Sequence, residues 1–409
     1  MNTFIWRGAL KHRNYRIFFL GQGVSLVGSW MQIVSVAWLT YRLTNSAVLL
    51  GFVVFASQFP SFLLSPLAGV FADRINRRLI LLVTQALAML QALVLAYLSF
   101  SGKITIPYII GLSIFLGLVN AFDMPVRQAF VADLVKDRRD LNQAIALNSF
   151  LFNAARLVGP TIAGILIALA GEGVCFLVNG ISFMAVLVAL FYIDSSNHFL
   201  KNKEIPFVRQ LQEGVAYAFG HPRIRGLLLQ VCVVSLTGMS YTILMPVFAR
   251  DILSGGASTL GFLLAAVGLG ALVATLKFSL RKGNSNFEQV ILESAIIFGL
   301  SMVTLAFVRN LLFSLVLLAC VGYGVMAQTV SANSLIQSLV DDDKRGRVMS
   351  LYTAAFMGIN PLGSLLNGWL ASRIGVLFTL GLNGIVGILA TGALSWLIFG
   401  KKLTKPNFR

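Results

Sequence analysis

The chain has 409 residues, 57% of them hydrophobic and only 11% charged, and its mean hydropathy of +0.84 is far above what a water-soluble domain with a polar surface can carry. That excludes a soluble enzyme or scaffold and indicates a polytopic membrane protein. The formal net charge of +17 raises nucleic acid as a partner, but the cations are distributed as a membrane topology and not as a basic face.

A spanning helix needs roughly 20 apolar residues, and about twelve such stretches follow one another. They are expected near 17–40, 47–71, 79–99, 104–128, 143–170, 174–193, 224–249, 257–280, 288–308, 311–333, 348–372 and 376–399. The basic segment before the first runs straight into it, as in a retained first helix and not a cleaved signal. Between the second and third, Gly69-Val-Phe-Ala-Asp73-Arg74-Ile-Asn76-Arg77-Arg78 has room only for a tight loop. After the sixth comes the longest polar interval, Asp194 to Arg223, a natural linker. Within it Phe207, Leu211, Val215, Ala218 and Phe219 recur at helical spacing, which predicts an amphipathic helix on the cytoplasmic membrane surface. The expected organisation is a six-helix bundle over 1–193, a linker over 194–223 and a second bundle over 224–409.

Threaded this way, one side receives 25 of the 32 Lys and Arg, including the runs Arg74, Arg77, Arg78, then Lys136, Arg138, Arg139, then Lys344, Arg345, Arg347. The other side receives Arg42, Lys103, Arg250, Arg309 and Arg373, while Arg127 and Arg156 fall inside spans. By the positive-inside rule both termini are cytoplasmic. Cys175, Cys232 and Cys320 lie in or beside spans without metal-type spacing and read as small core hydrophobes. His12, His198 and His221 all fall in cytoplasmic segments, so no intramembrane imidazole is expected.

The halves repeat. Leu134-Val-Lys-Asp-Arg-Arg139 precedes the fifth span and Leu339-Val-Asp-Asp-Asp-Lys-Arg345 the eleventh. Gly164 to Gly171 answers Gly368 to Gly375 at nearly the same offset of half the chain. Two repeats in the same orientation are implied, with a binding site near the midplane where they meet.

The spacing Gly-x-x-x-Asp-Arg-x-x-Arg-Arg resembles the signature between helices 2 and 3 of the major facilitator superfamily. Gly159-Pro160-x-x-Ala163-Gly164 resembles the motif of that family's antiporter branch, with Ala163 for one glycine. Ser29-Trp30-Met31-Gln32, Ala121 to Gln128, Ala146-Leu-Asn-Ser149 and Asn153 to Pro160 are similar to the bacterial twelve-helix efflux subfamily, whose members export siderophores, macrolides and other drugs. The resemblance covers essentially the whole chain. It implies an all-α membrane protein of twelve transmembrane helices in two parallel six-helix repeats, monomeric in the bacterial inner membrane. Gly69, Asp73, Arg74, Arg77, Arg78 and Arg127 would form an inner gate, and Gly159, Pro160 and Gly164 the antiporter motif. Spans 1, 4, 7 and 10 would line a substrate cavity with Trp30, Gln32, Trp38, Asn120, Gln230, Thr237, Tyr241, Tyr323, Gln328 and Asn333, although for any one of them interhelical packing or a hydrogen bond within the bundle is the more ordinary account. Asn76 stands where the common pattern has glycine, and a left-handed Asn would keep the turn. The equivalent stretch after span 8, Gly270 to Lys277, lacks the Asp and the Arg pair, so the gate is expected in the first half alone.

Intramembrane ions are costly and usually functional. Asp123 and Arg127 are four residues apart on one helix face, and Asp123 is the candidate for proton coupling. A structural ion pair with Arg127 or the hinge arginines is the alternative. Arg156, deep in span 5, needs a partner, either Asp123 in a gating or structural pair or an anionic group of the substrate in the cavity. Glu293 lies in a peripheral span, where a structural role is expected. The glycines Gly261, Gly268 and Gly270 sit in an apolar helix without a Lys-Ser/Thr ending, so close helix packing explains them and no nucleotide loop is read.

The reading is a secondary active exporter of an amphipathic organic small molecule by alternating access with proton antiport. Its expected partners are that molecule, protons and the lipid bilayer, without nucleic acid, cofactor or metal. A lipid or lysophospholipid flippase is the alternative within transport. A non-transporting receptor or anchor is the alternative from another class. An enzyme is disfavoured because no nucleophile and base are paired within the spans. The hinge is expected to bind Asp123, Arg127 and the run Asp341-Asp342-Asp343.

Overall fold

The computed structural model describes residues 7–135, 137–193, 207–280, 286–341 and 344–403. Within hydrocarbon every backbone N–H and C=O must be satisfied inside its own segment, which leaves the helix as the available solution for a chain of this composition. The described elements are accordingly helices, with no strand among the described residues. After a short helical turn, Arg7–Lys11, come α1 (Arg13–Thr44), α2 (Ala47–Arg74), α3 (Arg77–Phe100), α4 (Ile106–Asp133), α5 (Arg138–Ala170) and α6 (Glu172–Tyr192). The linker helix, Phe207–Gly220, leads to α7 (Pro222–Ile252). Then follow α8 (Ala257–Leu280), α9 (Phe287–Leu305), α10 (Leu311–Leu339), α11 (Arg345–Ile374) and α12 (Val376–Leu403).

Eleven of these twelve are long and apolar enough to span by composition, and α11 is the exception at 30 residues. Its polar residues are used in packing. Asn367 Nδ2 donates to Ser240 Oγ at 2.9 Å, and Tyr352 donates to the Thr329 carbonyl at 3.1 Å. Such bonds offset the cost of polar groups in hydrocarbon. The seventh helix is also irregular. It opens as α-helix over Pro222–Val233, widens to a π turn over Val234–Met239, tightens to 3-10 over Ser240–Leu244 and closes with a second π turn over Phe248–Ile252.

The hinge differs from the expected loop. Helix α2 continues through Arg74, so only Ile75 and Asn76 are non-helical. Asn76 does not take the left-handed conformation. At φ −56° and ψ 114° it is the N-cap of α3, its Oδ1 accepting from Arg78 N at 2.9 Å and Leu79 N at 3.4 Å, which satisfies two of the donors a helix start leaves open.

The internal repeat is visible in the backbone. Gly171 ends α5 at φ +81° and ψ 172°, and Gly375 ends α11 at φ +84° and ψ 157°. This region of backbone space is open essentially only to glycine. Each amide bonds back to the carbonyl four residues earlier, Ile167 and Ala371, at 3.0 and 3.1 Å. Both helices also contain an internal proline, Pro160 and Pro361.

By packing, the chain forms two compact units, Met1–Asn202 with Ala249–Ala265, and Lys203–Phe248 with Ala266–Arg409. The first closes at its basic-loop end around Tyr15, Phe18, Leu81, Phe130, Leu147 and Leu190. His12 there lies 3.0 Å from Asp140. In the second, Ala218 of the linker helix is buried with Ile224, Leu227, Ile336 and Val348. Arg347–Glu213 at 2.6 Å and Tyr217–Asp341 at 2.9 Å fasten that helix. The linker helix thus packs Ala218 against α7 and α11, while Val215 and Phe219 of the same apolar stripe are exposed.

Candidate functional site

Asp123 is the best-defined charged position in the first unit. It is buried on α4, with Oδ2 3.1 Å from an Arg127 nitrogen one turn along. Oδ1 accepts from Thr84 Oγ1 at 2.9 Å and Gln85 Nε2 at 2.7 Å, both on α3. A carboxylate out of water is tolerable only when paired and hydrogen-bonded in this way. The i, i+4 spacing supplies Arg127, and the packing of α3 supplies the rest. Arg127 is less buried, its side chain 22% exposed against 4% for Asp123, so the pair has a dry member and a wetter one. Among the described side chains Asp123 is thus engaged by Arg127, the ion-pair partner offered by the sequence, and by Thr84 and Gln85, which were not expected.

The hinge cations have other partners. Arg77 Nη1 donates to both carboxylate oxygens of Asp133 at 2.9 and 3.0 Å, joining the start of α3 to the end of α4. Arg78 Nη2 donates to the Phe191 carbonyl at 3.0 Å, one of the acceptors that the end of α6 leaves open. Asp341 accepts from Tyr217, while Asp342 and Asp343 lie outside the described residues. Gly69, Asp73 and Arg74 are in the last turns of α2, and their side chains lie outside the described residues. Asp133 was missed in the sequence because it follows the apolar stretch of α4 by several residues and reads as a loop anion.

The cavity candidates separate. Gln32 is buried in a polar chain across three helices, its Nε2 donating to Gln91 Oε1 at 2.9 Å and its Oε1 accepting from Asn179 Nδ2 at 2.8 Å. Gln91 and Asn179 were not singled out beforehand, although an amide in mid-span is itself a signal. Trp38 and Tyr241 are core residues, 9% and 1% exposed. Gln230 is buried and neither side-chain amide atom has a hydrogen-bond partner among the described residues. Gln328 donates to the Gly324 carbonyl and borders a narrow gap with Thr237 and Thr391. Tyr323 accepts from Lys277 Nζ at 2.8 Å. Asn120 and Asn333 are half-buried, the latter accepting from Gln337. Glu293 is exposed and accepts from Gln289 at 2.7 Å.

Arg156 is placed over the Trp30 ring, 5.7 Å from its centroid. The motif glycine Gly159 makes that possible, since a β-carbon there would stand 2.5 Å from Trp30 Cβ. Gly164 serves α8 similarly, with Ala257 O 2.8 Å and Gly261 Cα 3.0 Å from where its β-carbon would be. Gly261 therefore belongs to close helix packing, as does Gly270 against Ala319.

Two further clusters were not anticipated, both at the Thr44 end of α1. Glu172, buried at the start of α6, receives Arg42 Nε at 2.8 Å and Nη2 at 3.1 Å, a bidentate pair. Tyr41 donates to Asp251, and Arg250 donates to Asn45 Oδ1 at 2.7 Å. Among the described residues no group of His, Cys, Asp and Glu has a metal-binding arrangement.

The comparisons with known proteins agree with this architecture. The staphyloferrin A transporter of Staphylococcus aureus is 28% identical over 92% of this chain and 94% of its own length. The multidrug efflux pump Tap of Mycolicibacterium fortuitum is 24% identical over 85% and 87%. Macrolide efflux protein A of Streptococcus pyogenes is 22% identical over 90% and 92%. Among solved structures, a bacterial homolog of the human lysosomal transporter Spinster superposes with a TM-score of 0.72 at 13% identity, covering 96% of this chain and 98% of that one. A D-xylose-proton symporter gives 0.71 at 15%, covering 94% and 97%. A family described as transmembrane secretion effector matches residues 7–404, and the chain belongs to that family of multi-pass major facilitator transporters.

Proposed function

We propose that this transporter is a secondary active exporter. It moves an amphipathic organic molecule of the drug or siderophore class out across a bacterial inner membrane by alternating access, acts as a monomer and is driven by inward proton flow. The cargo class follows its relatives, which are named for a siderophore, for macrolides and for multiple drugs. Proton coupling rests on Asp123, a buried carboxylate whose ionic contact with Arg127 depends on its charge. A proton arriving on Asp123 neutralises the carboxylate, ends the ion pair and frees the wetter Arg127 with its charge. Thr84 and Gln85 keep the carboxyl in place during that change. Arg77, Arg78 and Asp133 hold the inner ends of α3, α4 and α6 together, the setting in which the gate would work.

The test is erythromycin uptake into inverted proteoliposomes with an imposed inside-acid gradient. Wild type should accumulate the drug with counterflow of protons. Asp123→Asn should exchange drug down its own gradient but lose at least tenfold of the proton-driven component. Full proton flux in that variant would remove Asp123 from the coupling role.

A further inference from the structure

Thr84 has one hydroxyl hydrogen and two acceptors within reach. Its Oγ1 lies 2.9 Å from Asp123 Oδ1 and 3.1 Å from the Leu81 carbonyl of its own helix, and all three residues are buried. Gln85 Nε2 donates to the same carboxylate oxygen at 2.7 Å, while Gln85 Oε1 has no hydrogen-bond partner among the described residues. An ionised carboxylate only accepts, whereas a protonated one must also donate, and a buried O–H with nothing to receive it is costly. A carboxyl that changes protonation out of water therefore needs donors in one state and an acceptor in the other. Thr84 supplies both without moving a heavy atom. With Asp123 charged, the Thr84 hydrogen points at Oδ1. With Asp123 neutral, that hydrogen turns to the Leu81 carbonyl, which has two lone pairs and takes it beside its helix bond, and the Thr84 oxygen accepts the new carboxyl O–H. Gln85 would have to invert its amide to present Oε1, and would give up the bond it already donates.

We propose that Thr84 is the positioning residue for the proton on Asp123, a hydroxyl that reverses direction when the carboxyl is protonated and so keeps the site satisfied in both states. The assignment rests on the coupling role given to Asp123 above. In loading, a proton from water on the more exposed Arg127 side forms an O–H bond on Asp123, the carboxylate loses its charge and Arg127 keeps its own. Unloading breaks that O–H bond, returns the proton to water and lets the Thr84 hydrogen swing back to Oδ1. Among the described side chains Arg127 is the charged group on this carboxylate. The cations at the start of α3 are held elsewhere, Arg77 by Asp133 and Arg78 by the Phe191 carbonyl, and α2 presents no titratable group among its described side chains.

Infrared difference spectra between high and low pH, taken on the full chain in nanodiscs, test this through the C=O stretch of the protonated acid. The band missing in Asp123→Asn belongs to Asp123. In wild type it should lie where a hydrogen-bonded acid absorbs. Thr84→Val, nearly the same shape without the hydroxyl, should shift it to higher wavenumber, and Thr84→Ser should restore it. In proteoliposomes the valine variant should lose proton-driven uptake several-fold and the serine variant should retain it. Should the valine variant fail to fold, the wild-type band decides, and a position typical of an acid without a hydrogen bond overturns the proposal. An unshifted band in Thr84→Val, or a shift produced by Gln85→Leu and not by Thr84→Val, also overturns it and leaves the coupling role of Asp123 standing. Absence of any Asp123 band across the pH range in which transport is proton-driven would reject that coupling role, and the Thr84 switch with it.

Discussion

Asp123 Oδ2 and the Arg127 guanidinium are 3.1 Å apart on adjacent turns of α4, with the carboxylate nearly sealed and the cation partly open. Removing the cation leaves a buried charge uncompensated, which typically costs about 3–5 kcal/mol, whereas removing both charges is often close to neutral. Arg127→Gln should therefore lower the melting temperature markedly, and Asp123→Asn/Arg127→Gln should recover most of it. Fluorescence-detected size exclusion after heating reads this directly, and a double-mutant cycle isolates the coupling. A double variant no more stable than the single one would show that the two charges are not coupled.

Arg77 and Asp133 form a different kind of pair. Their side chains are 16% and 34% exposed, and a pair this open is worth about 0–1 kcal/mol to folding. Arg77→Glu and Asp133→Arg should each reach the membrane in normal amounts and each reduce transport several-fold, with the charge-swapped double variant regaining activity. Expression level against efflux rate is the measurement. Loss of expression in the single variants would show a folding contact and not a gating one.

The fold was legible because a bilayer imposes its own rules: length, apolarity and the sidedness of Lys and Arg restrict the chain before packing is considered. Gly171 and Gly375 carried the repeat into the backbone, since a glycine-only conformation punctuates both halves. The site was legible only where it was local. Asp123 and Arg127 lie one turn apart, so periodicity joins them. Thr84 and Gln85 reach Asp123 from another helix, Asp133 reaches Arg77 across 56 residues, and Trp30 lies under Arg156 from a helix four spans earlier. Which face of one apolar helix meets which face of another depends on small-residue packing, and that pattern is degenerate in a sequence this rich in Leu, Val and Ala.

Gln32 links Gln91 and Asn179 through one amide. Gln32→Leu would leave the Gln91 acceptor and the Asn179 donor unanswered, at about 1–3 kcal/mol for each buried group left unsatisfied. Measured bonds of this kind in membranes are nearer 0.6 kcal/mol, so a total near 1 kcal/mol is expected. Gln32→Glu should be worse, because it adds a buried charge. Chemical denaturation in mixed micelles checks both. A leucine variant as stable as wild type would mean that the chain of amides does not contribute to stability.

Gly171 and Gly375 give the most restrictive expectation, since the cause is the backbone alone. No atom lies within 4 Å of a β-carbon built at either position, so steric exclusion by neighbours does not enter. At φ of +81° and +84° with ψ near 160–170°, any side chain costs about 1–3 kcal/mol. Gly171→Ala and Gly375→Ala should thus destabilise the protein by similar amounts, each measured by thermal unfolding. Asparagine should not rescue either site, because the left-handed helical region it favours has ψ near 30–60°. Rescue by asparagine at one position and not the other would mean that the two connections, α5 to α6 and α11 to α12, are not conformational equivalents.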